Sequence, residues 1–138
     1  MLTYKKGGLK RLIDHLPVVV FEYTLFPDGQ RGFTFISPHC EELLGLKPEV
    51  MMNSDFSIHE SIHPEDWTSF DKNIDQGPRR NKRWTWLGRC KGENAYLWVE
   101  VKSRSVKMKD GRTVYHGVFN DITDRKKTEA SFQKAETL

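Results

Sequence analysis

Apolar positions along the chain change their spacing several times, and each change marks an element. Leu9, Leu12, Ile13 and Leu16 recur three and four residues apart, which predicts an amphipathic helix over 8–15. Pro17 stops it, because a proline biases the residue before it away from helical angles. Residues 18–25 are then β-branched and aromatic, end at Pro27-Asp28-Gly29 and resume over 32–36, so the two runs read as a hairpin. Ser37-Pro38 marks a helix start, with Ser37 as N-cap and Pro38 at the first helical position, and Gly45 ends that brief helix. A short turn follows from Pro48 to Met52, and 54–61 holds one more. His63-Pro64-Glu65-Asp66 repeats the helix-start pattern and places two acids where the helix dipole favours negative charge. The helix it opens runs to about Gln76, buries Trp67, Phe70 and Ile74, and stops at Gly77-Pro78.

The remainder alternates with a period of two. Strands are predicted over 83–91, 96–107 and 112–122, joined by Gly92-Glu93-Asn94-Ala95 and by the Lys109-Asp110-Gly111 turn. In the middle strand Leu97, Val99, Val101, Ser103 and Ser105 make a smoother face than Tyr96, Trp98, Glu100, Lys102 and Arg104, so the first set is turned inward. At Asp121-Ile122-Thr123 the last strand becomes a polar helix, where Thr123 or Asp124 accepts from the free N–H groups of the first turn. Arg125, Thr128, Phe132, Ala135 and Leu138 only partly fit a heptad in that helix. Strands that bracket a run of short helices predict an α+β domain, an antiparallel sheet with helices on one face.

Composition narrows this picture without changing it. A chain of 138 residues is one domain, large enough to bury about two-thirds of its unfolded surface. The apolar share is modest at 37%, and four Trp, four Tyr and eight Phe compensate with large buried area per residue. A net charge of +3 is too small and scattered to argue for nucleic acid, and the basic runs Arg79-Arg80-Asn81-Lys82-Arg83 and Arg125-Lys126-Lys127 read as solvated faces. Cys40 and Cys90 make no disulfide framework and no metal-site spacing, which fits a reduced, cytoplasmic setting. No apolar run approaches the roughly 18 residues of a membrane span, although a parent protein could be anchored elsewhere.

Candidate chemistry is sparse. His59-Glu60-Ser61-Ile62-His63 spells H-E-x-x-H, in which both His must share a helical face with Glu60 as general base. Pro64 disfavours helical angles at His63, so a metal-dependent enzyme built on His59 and His63 is a disfavoured alternative and no metal is expected. Ser37, Ser57 and Ser103 have no nucleophile-elbow context, and Glu41-Glu42 reads as a solvated helix face. No catalytic residue is assigned.

Four groups of residues carry a family likeness: Ser37-Pro38 with Glu41-Glu42-Leu43-Leu44-Gly45, Ile62-His63-Pro64-Glu65-Asp66-Trp67, Leu97-Trp98-Val99-Glu100, and Asp110-Gly111 with Gly117 and the 121–129 run Asp-Ile-Thr-Asp-Arg-Lys-Lys-Thr-Glu. In this order and spacing they resemble the PAS sensor domain, in its PAS-plus-PAC form common in bacterial signalling proteins. One departure is Gly92-Glu93-Asn94-Ala95, where relatives have Asp-Gly; Asn also tolerates left-handed angles, so an altered turn is expected.

The resemblance implies a PAS fold, a five-stranded antiparallel sheet in order 2-1-5-4-3 with short helices over one face and flanking N- and C-terminal helices. It implies three parts: an N-terminal helix over 1–16, the PAS domain over 17–123, and the start of a signalling helix over 124–138. The implied function is non-catalytic: sensing of a small molecule or dimerisation, relayed through the last helix to a kinase or cyclase output domain of a larger protein. The alternative is a structural dimerisation domain with a filled core and no ligand. By the family's register the pocket takes Phe21, Tyr23 and Phe35, Leu87 and Arg89, Val99, Val101 and Ser103, and Tyr115, Gly117 and Phe119, under a lid of Phe56, Trp67 and Phe70. An inward Arg89 needs an acid from the helices or a small anionic ligand. Haem is disfavoured because 64–76 contains no His and His116 is expected to point outward, and covalent flavin because its cysteine motif is absent; Cys40 reads as a half-buried thiol. Trp84, Trp86, Trp98 and Tyr96 are assigned to the outer face, partly covered by the N-terminal helix, with a homodimer contact through Leu9, Leu12, Ile13, Trp86 and Trp98. Asp121 and Thr123 are the expected relay.

Overall fold

The computed structural model describes residues 6–75 and 83–136. Helix α1 (Lys6–His15) leads into the hairpin β1 (Val19–Leu25) and β2 (Arg31–Ile36). Short helices α2 (Cys40–Leu44) and α3 (Pro48–Met51), two 3-10 turns (Ile58–Ser61 and Pro64–Asp66) and α4 (Trp67–Asp75) follow. Strands β3 (Arg83–Lys91), β4 (Tyr96–Lys107) and β5 (Thr113–Asp121) complete the sheet, and α5 (Thr123–Glu136) leaves it. All pairings are antiparallel and the order is β2-β1-β5-β4-β3.

Local chemistry sets most boundaries as expected. Gly45 closes α2 at φ 72°, a left-handed angle that a Cβ would strain, and its N–H donates to the Glu41 carbonyl. Pro64 opens its turn behind His63, whose Nδ1 accepts from the Glu65 N–H. The altered turn between β3 and β4 closes through Gly92 N–H to the Ala95 carbonyl at 2.8 Å. Ser37, however, caps no helix. It is fully buried, its Oγ accepts from Val20 N–H and its own N–H donates to the Val20 carbonyl, so it extends the β1–β2 pairing instead. The expected burial of Ile74, the Gly77-Pro78 stop and most of the basic run 79–83 lie outside what the structure describes.

Two registers differ from expectation, and both move aromatics between faces. In β3 the buried residues are Trp86, Gly88 and Cys90, with Trp84 half-buried, while Leu87 is 44% exposed. Leu87 and Arg89 therefore face outward, and Trp86, assigned to a dimer surface, is a core residue. The second difference is Phe35, which is 40% exposed. The β1–β2 register shifts between Glu22 and Tyr23, so Tyr23 pairs with Phe33 and Glu22 with Phe35. Thr34 is the extra residue of this bulge, and it lets Phe33 and Ile36, three apart, both point inward. The outer face consequently carries less aromatic surface than the sequence reading gave it. Leu9 and Leu12 of α1 remain 48% and 55% exposed, so α1 does not bury its stripe on that face.

Candidate functional site

Between the sheet and the short helices lies an aromatic interior. Phe21 and Phe119 stack with centroids 4.5 Å apart, and Phe33 meets both edge-on at 5.9 and 6.1 Å. Gly117 makes the stack possible: a Cβ there would meet the Lys102 carbonyl and come within 2.8 Å of the Phe21 ring. Phe70 closes the helical side against Trp86 at 5.2 Å, and the Trp86 indole donates to Ser69 Oγ at 3.0 Å. What remains open among the described residues of this interior is small. One cavity of about 30 Å³ lies among Phe21, Tyr23, Phe33, Ile58, Phe70, Trp84, Val101, Tyr115 and Phe119, and one of about 20 Å³ lies nearer Leu44, Cys90 and Val99.

Phe21, Tyr23, Phe70, Val101, Tyr115 and Phe119 thus line the first cavity and Val99 the second. Ser103 is buried but spends its hydroxyl on the His116 carbonyl. Phe56 is half-buried against Phe33 at 6.4 Å and lines neither cavity. Trp67, expected in the lid, is 40% exposed, because its indole N–H turns back to the carbonyls of His59 and Ile62. Sequence reasoning missed Phe33, Ile58 and Trp84 in the first cavity and Leu44, Ser61, Ile62, Trp86 and Cys90 in the second. Burial raises the pKa of Tyr23, and Trp84 Nε1 is buried without a hydrogen-bond partner among the described residues.

Arg89 has its acid partners in the chain. Its Nε and one terminal nitrogen donate to the two Asp66 oxygens at 3.0 and 2.9 Å, and that nitrogen reaches Glu65 Oε2 at 3.1 Å. Asp66 also accepts from the Arg89 backbone N–H at 2.8 Å, while His63 N–H donates to the Arg89 carbonyl at 2.9 Å. The outer edge of β3 is therefore occupied by the turn before α4. Arg89 holds Asp66 below the usual carboxylate pKa, chiefly through the side-chain hydrogen bond, and its own pKa rises. No anionic ligand is needed to answer this guanidinium.

From Arg89 the contacts continue to the exit helix. Arg89 stands over the Trp98 ring at 5.5 Å and Lys126 over the same ring at 5.1 Å. The backbone of Trp98 is held by the same helix start: its carbonyl accepts from Ile122 N–H at 2.8 Å and its N–H donates to Thr123 Oγ1 at 3.1 Å. Asp121 Oδ1 accepts from the Thr123 N–H at 2.9 Å and from its hydroxyl at 2.6 Å. Arg125 ties α5 to Glu100 at 3.3 Å. One residue of β4 thus joins the edge of the helical cover to the first turn of α5.

The H-E-x-x-H stretch forms no ligand pair. His59 sits in a 3-10 turn with Nε2 2.6 Å from Asp71, and His63 is extended at φ −56° and ψ 132°. No group of three His, Cys, Asp or Glu suited to a metal occurs among the described residues. His116 points out of the sheet to Glu22 at 2.9 Å. Burial pushes the Cys40 thiol up to about 11 and the Cys90 thiol up to about 12, so neither is poised as a nucleophile.

A family model for the PAS fold matches residues 33–119. The chain belongs to the PAS fold family. Among solved structures the PAS domain is similar to an RNA-binding light-oxygen-voltage receptor, at 20% identity and TM-score 0.73, over 96% of this chain. The chain spans only 37% of that receptor. It is also similar to a domain of a putative light and redox sensing histidine kinase from Haloarcula marismortui, with 18% identity, TM-score 0.64 and coverage of 86% and 100%. The N-terminal PAS/PAC domain of a diguanylate cyclase from Marinobacter aquaeolei matches at 18% identity and TM-score 0.60, over 78% of this chain and 98% of that one. No curated protein matches. PAS domains are typically sensory or regulatory modules of signalling proteins and are themselves non-catalytic.

Proposed function

We propose that this PAS domain is a regulatory module that passes the state of its helical cover through α5 to an output domain of kinase or cyclase type. The observation that carries the reading is the convergence on Trp98, which meets Arg89 from the α4 side and Lys126, Ile122 and Thr123 from the exit helix. A change at the Asp66–Arg89 clasp reaches α5 through a single residue, the Trp98 ring taking the cations and its backbone taking the helix start. Hydrogen exchange of the amides of 124–127 tests it: Asp66→Ala speeds their exchange several-fold, and Trp98→Leu removes that difference. Identical exchange with and without Asp66 would end the proposal.

A second reading concerns what sets the state, and the tight interior favours it. Cavities of about 30 and 20 Å³ have room for no more than a water or two, whereas organic-ligand sites run to about 300–1,000 Å³. In this reading the core is filled and the domain responds to pairing of copies through Leu9 and Leu12 of α1, with Ile13 at the margin. Native mass spectrometry then reports a dimer without retained ligand, converted to monomer by Leu9→Lys/Leu12→Lys. A monomer carrying a bound small molecule would contradict it.

A further inference from the structure

The outer face of the sheet carries charges in rows that cross the strands. Arg83 of β3 lies opposite Arg104 of β4, Arg104 opposite His116 of β5, and His116 opposite Glu22 of β1. Like charges directly opposite on neighbouring strands are destabilising, so two facing arginines need an explanation. The acids of this face do not supply it. Glu22 is taken by His116 at 2.9 Å and by Thr34 at 2.6 Å, and Glu100 by Arg125 at 3.3 Å and Lys102 at 3.7 Å. Arg83 and Arg104 have no acidic partner among the described residues, and both are exposed. They border a recess of about 280 Å³ that also takes in Lys102 and His116. The row one step along is Thr85, Lys102, Val118 and Val20, so half-buried valines lie beside the basic row.

We propose that this face docks an acidic α-helix of a partner, laid across the strands with carboxylates over Arg83 and Arg104 and an apolar residue over Val118. The spacing supports the choice of occupant. Strands lie ~4.8 Å apart, and a helix rises ~5.4 Å per turn, so Glu residues one turn apart meet the two arginines in step. A single-stranded nucleic acid fits less well, because it needs aromatic stacking platforms. Of the outward aromatics, Tyr96 and Trp98 belong to the other end of β4, with Trp98 covered by Arg89 and Lys126, and Phe35 is a single ring beyond Glu22 on β2, three strands from Arg104.

The test uses the isotope-labelled chain and three probes: an 18-residue alanine-rich helical peptide with Glu at i and i+4 and Leu beside them, the same peptide with Gln, and a 12-mer of oligouridylate. The expected result is amide shifts confined to the outward residues of β3, β4 and β5 with the Glu peptide, weakened by added salt. Arg83→Gln/Arg104→Gln lowers that affinity at least tenfold. Arg83→Glu/Arg104→Glu transfers binding to a Lys version of the peptide, which a merely disturbed surface does not do. The proposal is overturned if the Gln peptide binds equally well, if no shift appears at millimolar peptide, or if the oligouridylate binds more tightly through the same arginines.

Discussion

Asp121→Ala isolates the start of the exit helix from the rest of the fold. Asp121 is exposed, yet its Oδ1 holds both the N–H and the hydroxyl of Thr123, and that hydroxyl in turn accepts from Trp98 N–H. Replacing such a side-chain acceptor at a helix start by Ala costs about 1 kcal/mol, within a range of about 0.5–2. At about 1.4 kcal/mol per factor of ten, amides in the first turn of α5 should exchange about fivefold faster. The sheet should not notice. Ile122 keeps its burial and its N–H bond to the Trp98 carbonyl, so the melting temperature falls by no more than about 3–4 °C, the shift that about 1 kcal/mol gives in a chain of this length. Asp121→Asn, which retains the acceptor, stays close to wild type, and Thr123→Val reproduces the Ala effect because it removes both hydroxyl contacts. Hydrogen exchange resolved by residue is the assay, with core amides of β4 and β5 as internal reference. If core and α5 amides accelerate together, Asp121 stabilises the whole domain and the argument for a separable joint fails.

Three further outcomes follow from the geometry. Trp86→Ala should cost about 3–5 kcal/mol in denaturant unfolding, while Leu87→Ala, one residue on, stays within about 0.5, a contrast that inverts if β3 carries the other register. Asp66 has a folded pKa below its ordinary 3.8, so its contribution is present above about pH 4 and is lost as pH falls through the folded value. Wild type should therefore lose thermal stability more steeply than Asp66→Asn between about pH 4 and pH 2. Cys40 and Cys90 should resist a thiol reagent at pH 8 and react fully on unfolding; because their raised pKa values favour the neutral thiol in the fold, stability should also decline as pH climbs past the ordinary 9.0.

The hairpin, the inward face of β4 and the joint before α5 were legible because each rests on local pattern, whereas the strand order was implied only by the family resemblance. Val99, Val101, Ser103 and Ser105 alternate without interruption, and a two-residue period leaves no choice of face. Phe35 was not legible. A bulge inserts one residue without any composition of its own, and only the cross-strand partners Glu22 and Tyr23 reveal where the alternation breaks. Trp67 failed for another reason: its spacing with Phe70 is right for a helix face, but the carbonyls of His59 and Ile62, in and just after the 3-10 turn Ile58–Ser61, recruit the indole outward.

In β3 the signal was present and was outweighed. Arg83, Thr85, Arg89 and Lys91 share one parity with a single apolar residue, Leu87, while Trp84, Trp86 and Cys90 share the other with Gly88. Read by alternation alone, the tryptophans belong inside, and Gly88 supplies the room, since a Cβ there would collide with the Trp86 ring. Two large indoles beside the phenylalanines fill the space that a pocket lined by Leu87 and Arg89 leaves open. The same slip of one residue sends Arg89 out to the sheet edge, where Asp66 binds it and Trp98 lies beneath it. The filled interior and the Asp66–Arg89–Trp98 connection therefore have one origin in the parity of β3. Any substitution that restores a cavity at Trp84 or Trp86 tests the first while leaving the second in place.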